Sequence, residues 1–216
     1  MKIVVYSANI GNYRRELSKI DKIKIDKNID YYFFTDYPNL KSKHWNIINI
    51  KLRDELDFMD KYRHTGKYLK FIPPKIIRGY DIIIWIDSKS LKFLNFTYEK
   101  IMDYFKNRDK SIFCIRHRFH KSCIEELEKT IQLRLENKVN GNKFYEIIKN
   151  IDFKEYIHPD LTCFMYRNIK QNKLLLYNLF ITLLNNGLKR DQNVAQYIFH
   201  KFKLNVGTLH IKCIMR

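Results

Sequence analysis

The chain alternates between short apolar runs and longer stretches in which apolar residues recur at helical spacing, a pattern that predicts strands separated by helices. Lys2 to Ser7 opens as a strand and runs into a loop of turn formers, Asn9-Ile10-Gly11-Asn12. Asp30 to Thr35 predicts a second strand closed by Asp36-Tyr37-Pro38, and Trp45 to Ile50 a third. Asp60 to Ile77 is helix-spaced and basic until Pro73-Pro74 bends or ends it. The next strand fills the space between Asp81 and Asp87. Ser111 to Arg116 predicts another, leaving through His117-Arg118-Phe119-His120. A long charged helix is expected over Lys121 to Asn137, broken at Gly141, with a shorter one running on to Ile151. Thr162 to Arg167 reads as a strand, Asn172 to Asn186 as a helix closed near Gly187, and Arg190-Asp191-Gln192 as the start of a last helix. The tail, Leu204 to Met215, alternates loosely and suits an edge strand carrying His210. This order, without a repeat or a linker, predicts one α/β domain over 1–216, a three-layer sandwich around a mostly parallel sheet.

Asp87 stands out in this pattern. Five apolar residues, Ile82 to Ile86, describe a strand buried on both faces, and it ends on a carboxylate where a parallel sheet binds its ligands. An Asp after a strand also caps helices, so the run alone leaves both readings open. In the helix before it, Arg63, Lys67 and Lys70 recur at spacings of four and three and share one face, which suits a diphosphate or a solvated basic stripe.

Composition narrows the choice. With 45% hydrophobic residues, fifteen Tyr and fifteen Phe, the chain folds despite its charge of +18. That charge attracts phosphates, nucleic acid or anionic surfaces. Lysines scattered among acids describe a solvated exterior around a local basic cleft, with at most weak association to anionic surfaces. Specific nucleic-acid binding is not expected: no zinc-finger, RNA-recognition or helix-turn-helix signature accompanies the charge. Met1 to Ser7 is already strand-like, so no secretory signal is expected and the cytoplasm is the expected compartment. The longest greasy stretch, Leu174 to Leu184, is eleven residues against the roughly 20 that span a bilayer, and reads as a core helix.

Two nucleotide motifs are missing. The first loop, Ser7-Ala8-Asn9-Ile10-Gly11, lacks Gly-x-Gly-x-x-Gly, and no P-loop run occurs, which weighs against dinucleotide enzymes and P-loop ATPases. Cys114, Cys123, Cys163 and Cys213 form no Cys-x-x-Cys pair and are expected to be reduced thiols. The residue types of Cys114-x-x-His117-x-x-His120-x-x-Cys123 suit zinc, but ligands at successive three-residue steps do not easily converge and Cys114 belongs to a strand.

Several segments, in order along most of the chain, resemble small GT-A-fold glycosyltransferases, including enzymes of large DNA viruses and a plant glycosyltransferase-like family. They are Tyr6-Ser7-Ala8-Asn9-x-Gly11-x-Tyr13-Arg14, Phe33-Phe34-Thr35-Asp36, Arg63 with Lys70-x-x-Pro73, Tyr80 to Lys89, Ile115-Arg116-His117-Arg118 with Glu125-Glu126, and Arg190-Asp191-Gln192. The resemblance implies a Rossmann-like nucleotide-binding half and transfer of a sugar from a nucleoside diphosphate donor, a UDP-sugar above all, to a glycan or other hydroxyl acceptor. It implies retention of configuration and, for a viral enzyme, the host-cell cytoplasm. In such an enzyme Tyr6, Ser7, Ala8, Asn9, Gly11, Tyr13 and Asp36 bracket base and ribose, while Arg63, Lys67 and Lys70 offset the diphosphate. Ser88, Lys89, Arg190 and Gln192 complete the donor site. A Mn2+ or Mg2+ ion would bridge the phosphates and Asp87. Most GT-A enzymes have Asp-x-Asp; here the third position is Lys89, which cannot bind a metal while protonated. A second ligand must then come from elsewhere, with His210 the natural candidate beside its reading as a surface histidine. His117, Arg118 and Asp191, at element ends, are the expected sugar and acceptor contacts; Asp191 reads equally as a helix N-terminal carboxylate. Glu125 and Glu126 are expected to be solvated or paired. The alternatives are a basic nucleic-acid-binding protein and another nucleotide-dependent transferase.

Overall fold

The computed structural model describes residues 1–11, 20–93, 95–106 and 109–210. Among these residues seven strands form one sheet: β1 (Ile3–Asn9), β2 (Asp30–Thr35), β3 (Asn46–Asn49), β4 (Ile82–Ile86), β5 (Ile112–Arg116), β6 (Pro159–Arg167) and β7 (Gly207–Leu209), in the order β3-β2-β1-β4-β6-β5-β7. Among the described residues six α-helices accompany them: α1 (Lys61–Phe71), α2 (Tyr98–Lys106), α3 (Cys123–Gln132), α4 (Lys138–Ile148), α5 (Lys170–Asn185) and α6 (Gln192–Lys201). The expected three-layer α/β architecture holds.

Strand β4 shows why. All five of its residues are buried, and side chains alternate between the two faces of the sheet. Ile82, Ile84 and Ile86 enter the core shared with Ile101, Tyr104 and Phe105 of α2. Ile83 and Trp85 enter the opposite core, under Leu69 of α1, Leu175 and Leu179 of α5, and Ile198 and Phe199 of α6. A third cluster joins α3 and α4 through Leu127, Phe144 and Ile148.

The sheet is parallel from β3 through β4 and again between β5 and β7, but β6 runs antiparallel to both of its neighbours. Strand direction leaves no trace in apolar periodicity, so the reversal was not foreseen. It matters locally, because the carbonyl of Thr162 in β6 accepts the backbone N–H of Asp87 at 2.7 Å.

One helix prediction is corrected. The charged stretch after β5 breaks at Leu133 to Asn137, where Arg134 takes φ +57°, and not at Gly141. Asn137 caps α4 by accepting the N–H of Asn140 at 3.0 Å. Gly141 lies inside α4 and is buried there, and a Cβ on it would meet Ile131 Cδ1 at 2.7 Å. The glycine serves close approach of two helices and does not stop either. The tail forms only the three-residue β7, and residues after His210 lie outside the described part, as does Cys213. Among the described residues no helix is long and apolar enough to cross a membrane.

Candidate functional site

After β1 the chain moves outward to β2 and β3 and then returns to place β4 on the other side of β1. At such a reversal the loops leaving the two strands diverge and open a crevice at their carboxyl ends. A cavity of about 320 Å³ occupies this position. Its floor is Ala8, Asn9 and Ile10 at the end of β1; Trp85, Asp87, Ser88 and Lys89 line the end of β4; and α1 contributes Arg63, Gly66, Lys67 and Lys70. Size and mixed lining suit a small polar ligand.

Helix α1 is aimed by its ends. Asp60 caps it, accepting the N–H of Arg63 at 2.8 Å. Near its other end the carbonyls of Leu69 and Lys70 accept the hydroxyl of Tyr6 at 3.2 and 3.1 Å, tying the helix to β1. This corrects the expectation for Tyr6 and Ser7. Both are fully buried, so neither can touch a ligand in this cavity; Tyr6 braces it from below.

Lys70 reaches into the cavity although it is only 5% exposed. Its Nζ lies 3.2 Å from Asp87 Oδ1 and 2.8 Å from Asp191 Oδ2, the second contact an ion pair whose angles do not make a hydrogen bond. Lys67 donates to Asp191 Oδ1 at 2.5 Å. Burial pushes the Asp191 carboxyl toward protonation, but the two ammonium groups outweigh it and hold the acid well below the usual carboxylate range. Burial opposes the charge of Lys70 as well, and the Asp191 and Asp87 carboxylates outweigh that in turn, raising its pKa. Lys67, where burial weighs more, is pulled below its ordinary value. Asp191 occupies the N-cap position of α6 yet makes no capping hydrogen bond. Its carboxylate faces the two lysines instead.

Asp87 is braced from two sides. Trp85, two residues earlier and hence on the same face of β4, donates its indole N–H to Asp87 Oδ1 at 2.7 Å, beside Lys70. About a quarter of the side chain (26%) stays exposed. One carboxylate with phosphate oxygens and water is an ordinary Mg2+ or Mn2+ environment, so the residues fit a divalent ion brought with a diphosphate. His210 is less well placed. It is exposed beyond the end of β7, on the same edge of the sheet as Asp87 but three strands from β4, a lateral separation of roughly 14 Å at ~4.8 Å per strand.

Other expected residues fall around the cavity. The carboxylate of Asp36 accepts the N–H of Gly11 at 3.1 and 3.2 Å, pinning the first loop; Gly11 has φ +82° with the Tyr62 ring 3.0 Å from where a Cβ would be. Asn9 donates to Ser88 Oγ at 3.2 Å, joining the two strand exits. Tyr13 and Arg14 lie outside the described residues. Gln192 begins α6, and Arg190 turns away from the lysines, its Nη2 3.3 Å from Glu126 Oε1. Arg118 is exposed at the exit of β5 with its guanidinium 5.5 Å from the Phe119 ring centre. His117, half-buried beside it, donates its backbone N–H to the His158 carbonyl at 2.8 Å. None of Arg118, His117, Arg190 or Gln192 lines the cavity.

Sequence reasoning missed the supports. Glu126 is indeed paired, but it is only 3% exposed and faces Arg190, His117 and His120 together. Glu136, 4% exposed, accepts the backbone N–H groups of Asn137, Lys189 and Arg190 and the amide of Asn193, fixing the segment that presents Asp191. Asp60, Gly66 and Trp85 were within reach: the first sits at a capping distance from Arg63, the second shares a helix face with Lys70, and the third shares a strand face with Asp87.

No family model and no curated protein matches the chain by sequence. Solved structures match by shape. Mouse xyloside xylosyltransferase 1, in its apo form, superposes with a TM-score of 0.56 at 12% identity over 97% of this chain and 85% of its own. The galactosyltransferase LgtC, solved with donor and acceptor sugar analogues, gives 0.53 at 9% identity over 96% and 73%. The glycosyltransferase GlyE of Streptococcus pneumoniae gives 0.51 at 12% identity over 97% of this chain and 45% of its own. The fold is therefore that of the GT-A glycosyltransferases.

Proposed function

We propose that this protein is a glycosyltransferase that moves a sugar from a nucleoside diphosphate donor, a UDP-sugar by expectation, to a hydroxyl on a glycan or similar acceptor. The observation that carries the reading is a cavity at the sheet's reversal point that gathers Arg63, Lys67, Lys70 and Lys89 around Asp87. Four cationic side chains against Asp60 and Asp87 in the lining leave it positive, as a diphosphate requires. The GT-A fold supports the same reading, as does the resemblance to viral and plant-type enzymes.

In this reading the bond from the sugar's anomeric carbon to the donor's phosphate oxygen breaks, the acceptor oxygen bonds to that carbon, and its proton passes to the departing nucleoside diphosphate or to water. Lys67 and Lys70 meet the charge that grows on the departing phosphate, and Asp191 holds both ammonium groups in place before the donor arrives, so little reorganisation is needed. Asn9, Ser88 and the Gly11–Asp36 loop flank the nucleoside side. A Mn2+ or Mg2+ ion on Asp87 would add charge stabilisation at the diphosphate. Arg118 and His117, at the neighbouring strand exit, are assigned to the acceptor side, and retention of configuration follows the family resemblance.

The test is turnover of a panel of nucleotide sugars with Mn2+, with and without glycan acceptors, by wild type and Asp87→Ala. Slow hydrolysis or transfer with one donor, lost in the variant, supports the reading. Absence of turnover and of nucleotide-sugar binding across the panel, together with salt-sensitive nucleic-acid binding, would replace it with the nucleic-acid alternative.

A further inference from the structure

At the exit of β5, outside the donor cavity, two imidazoles face one buried carboxylate and a third lies beside them. Glu126 Oε2 lies 3.5 Å from His117 Nε2 and 3.3 Å from His120 Nε2. His158 joins them from the segment leading into β6, its ring centre 4.8 Å from that of His117. The ligand atoms of His117, Glu126 and His158 all fall within 4.8 Å of one another. His158 is only 2% exposed, and neither of its ring nitrogens has a hydrogen-bond partner among the described residues. A buried imidazole with two orphaned nitrogens is costly unless something occupies the space it faces.

The spacing suggests what that is. The two contacts to Glu126 are longer than ordinary N–H···O hydrogen bonds, which cluster near ~2.9–3.0 Å. They match the edge of a tetrahedron around a zinc ion: ligands at ~2.0–2.1 Å from a common centre stand roughly 3.3–3.4 Å apart. We propose that His117, His158 and Glu126, with His120 beside them on the Glu126 carboxylate, form a binding site for a first-row divalent cation of the zinc type, separate from the donor cavity. Half of the Cys114 to Cys123 pattern thus converges while its cysteines do not: Cys114 is buried in β5 and Cys123 at the start of α3.

Burial, reinforced by the neighbouring imidazoles, pushes His158 down to about 3, so it is held in the neutral form that binds metals. Arg190 occupies the other Glu126 oxygen and orients the carboxylate as a supporting partner. His117 must adjust. Its Nδ1 accepts the N–H of His120 at 3.0 Å, which puts the ring proton on Nε2. Coordination through Nε2 moves that proton to Nδ1, so the His117–His120 turn gives up this contact while the ring keeps its orientation. The ion would then pin together the loop bearing Arg118, the entry to β6 and helix α3.

The experiment uses the whole chain, stripped with a chelator and titrated with Zn2+ and, for its visible spectrum, Co2+. One equivalent bound at micromolar protein, with a raised melting temperature, is expected. His158→Ala and His120→Ala should each weaken binding at least tenfold, while Asp87→Ala leaves it unchanged, so the result stands whether or not the protein transfers sugar. Should His158→Ala fail to fold, X-ray absorption of the zinc-loaded wild type decides alone: imidazole nitrogen with oxygen supports the site. No stoichiometric binding, sulfur coordination, or loss of binding on Asp87→Ala overturns it.

Discussion

Replacing Asp191 with asparagine removes one charge from behind the cavity while keeping the side chain's shape. Lys67 at 2.5 Å and Lys70 at 2.8 Å then lose a common anion that is 4% exposed. Breaking a buried ion pair by removing one partner costs ~3–5 kcal/mol. Lys70 keeps Asp87 at 3.2 Å and Lys67, 18% exposed, can turn toward solvent, which places the loss near the low end, about 3 kcal/mol. For a chain of this size that is a fall in Tm of roughly 6–12 °C, at ~2–4 °C per kcal/mol. Urea and thermal unfolding at pH 7 measure it directly. The acid limb adds a second reading. The Asp191 carboxyl titrates lower in the folded protein than in the unfolded chain, so its contribution is complete above about pH 5 and is lost as pH falls through the unfolded value near ~3.9 and on toward the folded one. Over that window the wild type should shed about 1.4 kcal/mol per pH unit from this group alone, an increment the asparagine variant lacks. A loss below ~1 kcal/mol at pH 7, the range of exposed ion pairs, or identical acid slopes in the two proteins, would refute the reasoning.

Asp87→Ala should lower turnover of the accepted donor by ~10²-fold or more while moving Tm less than Asp191→Asn does, as read by kinetics and melting on the same samples. Glu136→Gln turns an amide toward backbone donors, at ~1–3 kcal/mol for each N–H left unsatisfied, and by loosening the Asp191 segment should also raise KM for the donor; equilibrium unfolding and a KM-against-kcat comparison check both parts. Gly141→Ala should destabilise by ~1–3 kcal/mol through its contact with Ile131, and Ile131→Val in the same chain should recover much of that loss in urea titrations.

What could be read ahead of the structure was local. The apolar run before Asp87, the shared face of Arg63, Lys67 and Lys70, and the placement of Asp191 at a helix start all depend on periodicity within one element. Each recurs in the structure where expected. What could not be read depends on partners far apart in sequence. Asp191 meets Lys67 across 124 residues, and Glu126 meets Arg190 across 64. The orientation of β6 and the tie from Tyr6 to α1 likewise arise only once the sheet is assembled. Gly141 was misread for a related reason: a glycine that interrupts a helix and one that lets a second helix come close look the same in sequence.

The central claim is that the cavity between β1, β4 and α1 holds a nucleoside diphosphate through Lys67 and Lys70. Calorimetric titration of wild type, Lys67→Ala and Lys70→Ala with UDP and UDP-sugars, at fixed ionic strength and with Mn2+ present or absent, tests it most directly. The account predicts saturable binding of one equivalent to wild type, strengthened by Mn2+ and weakened at least about tenfold by each substitution, as loss of a charge-assisted contact of ~1.5–3 kcal/mol implies. Binding that is equally strong in both variants, or no saturable binding of any nucleoside diphosphate, would contradict it.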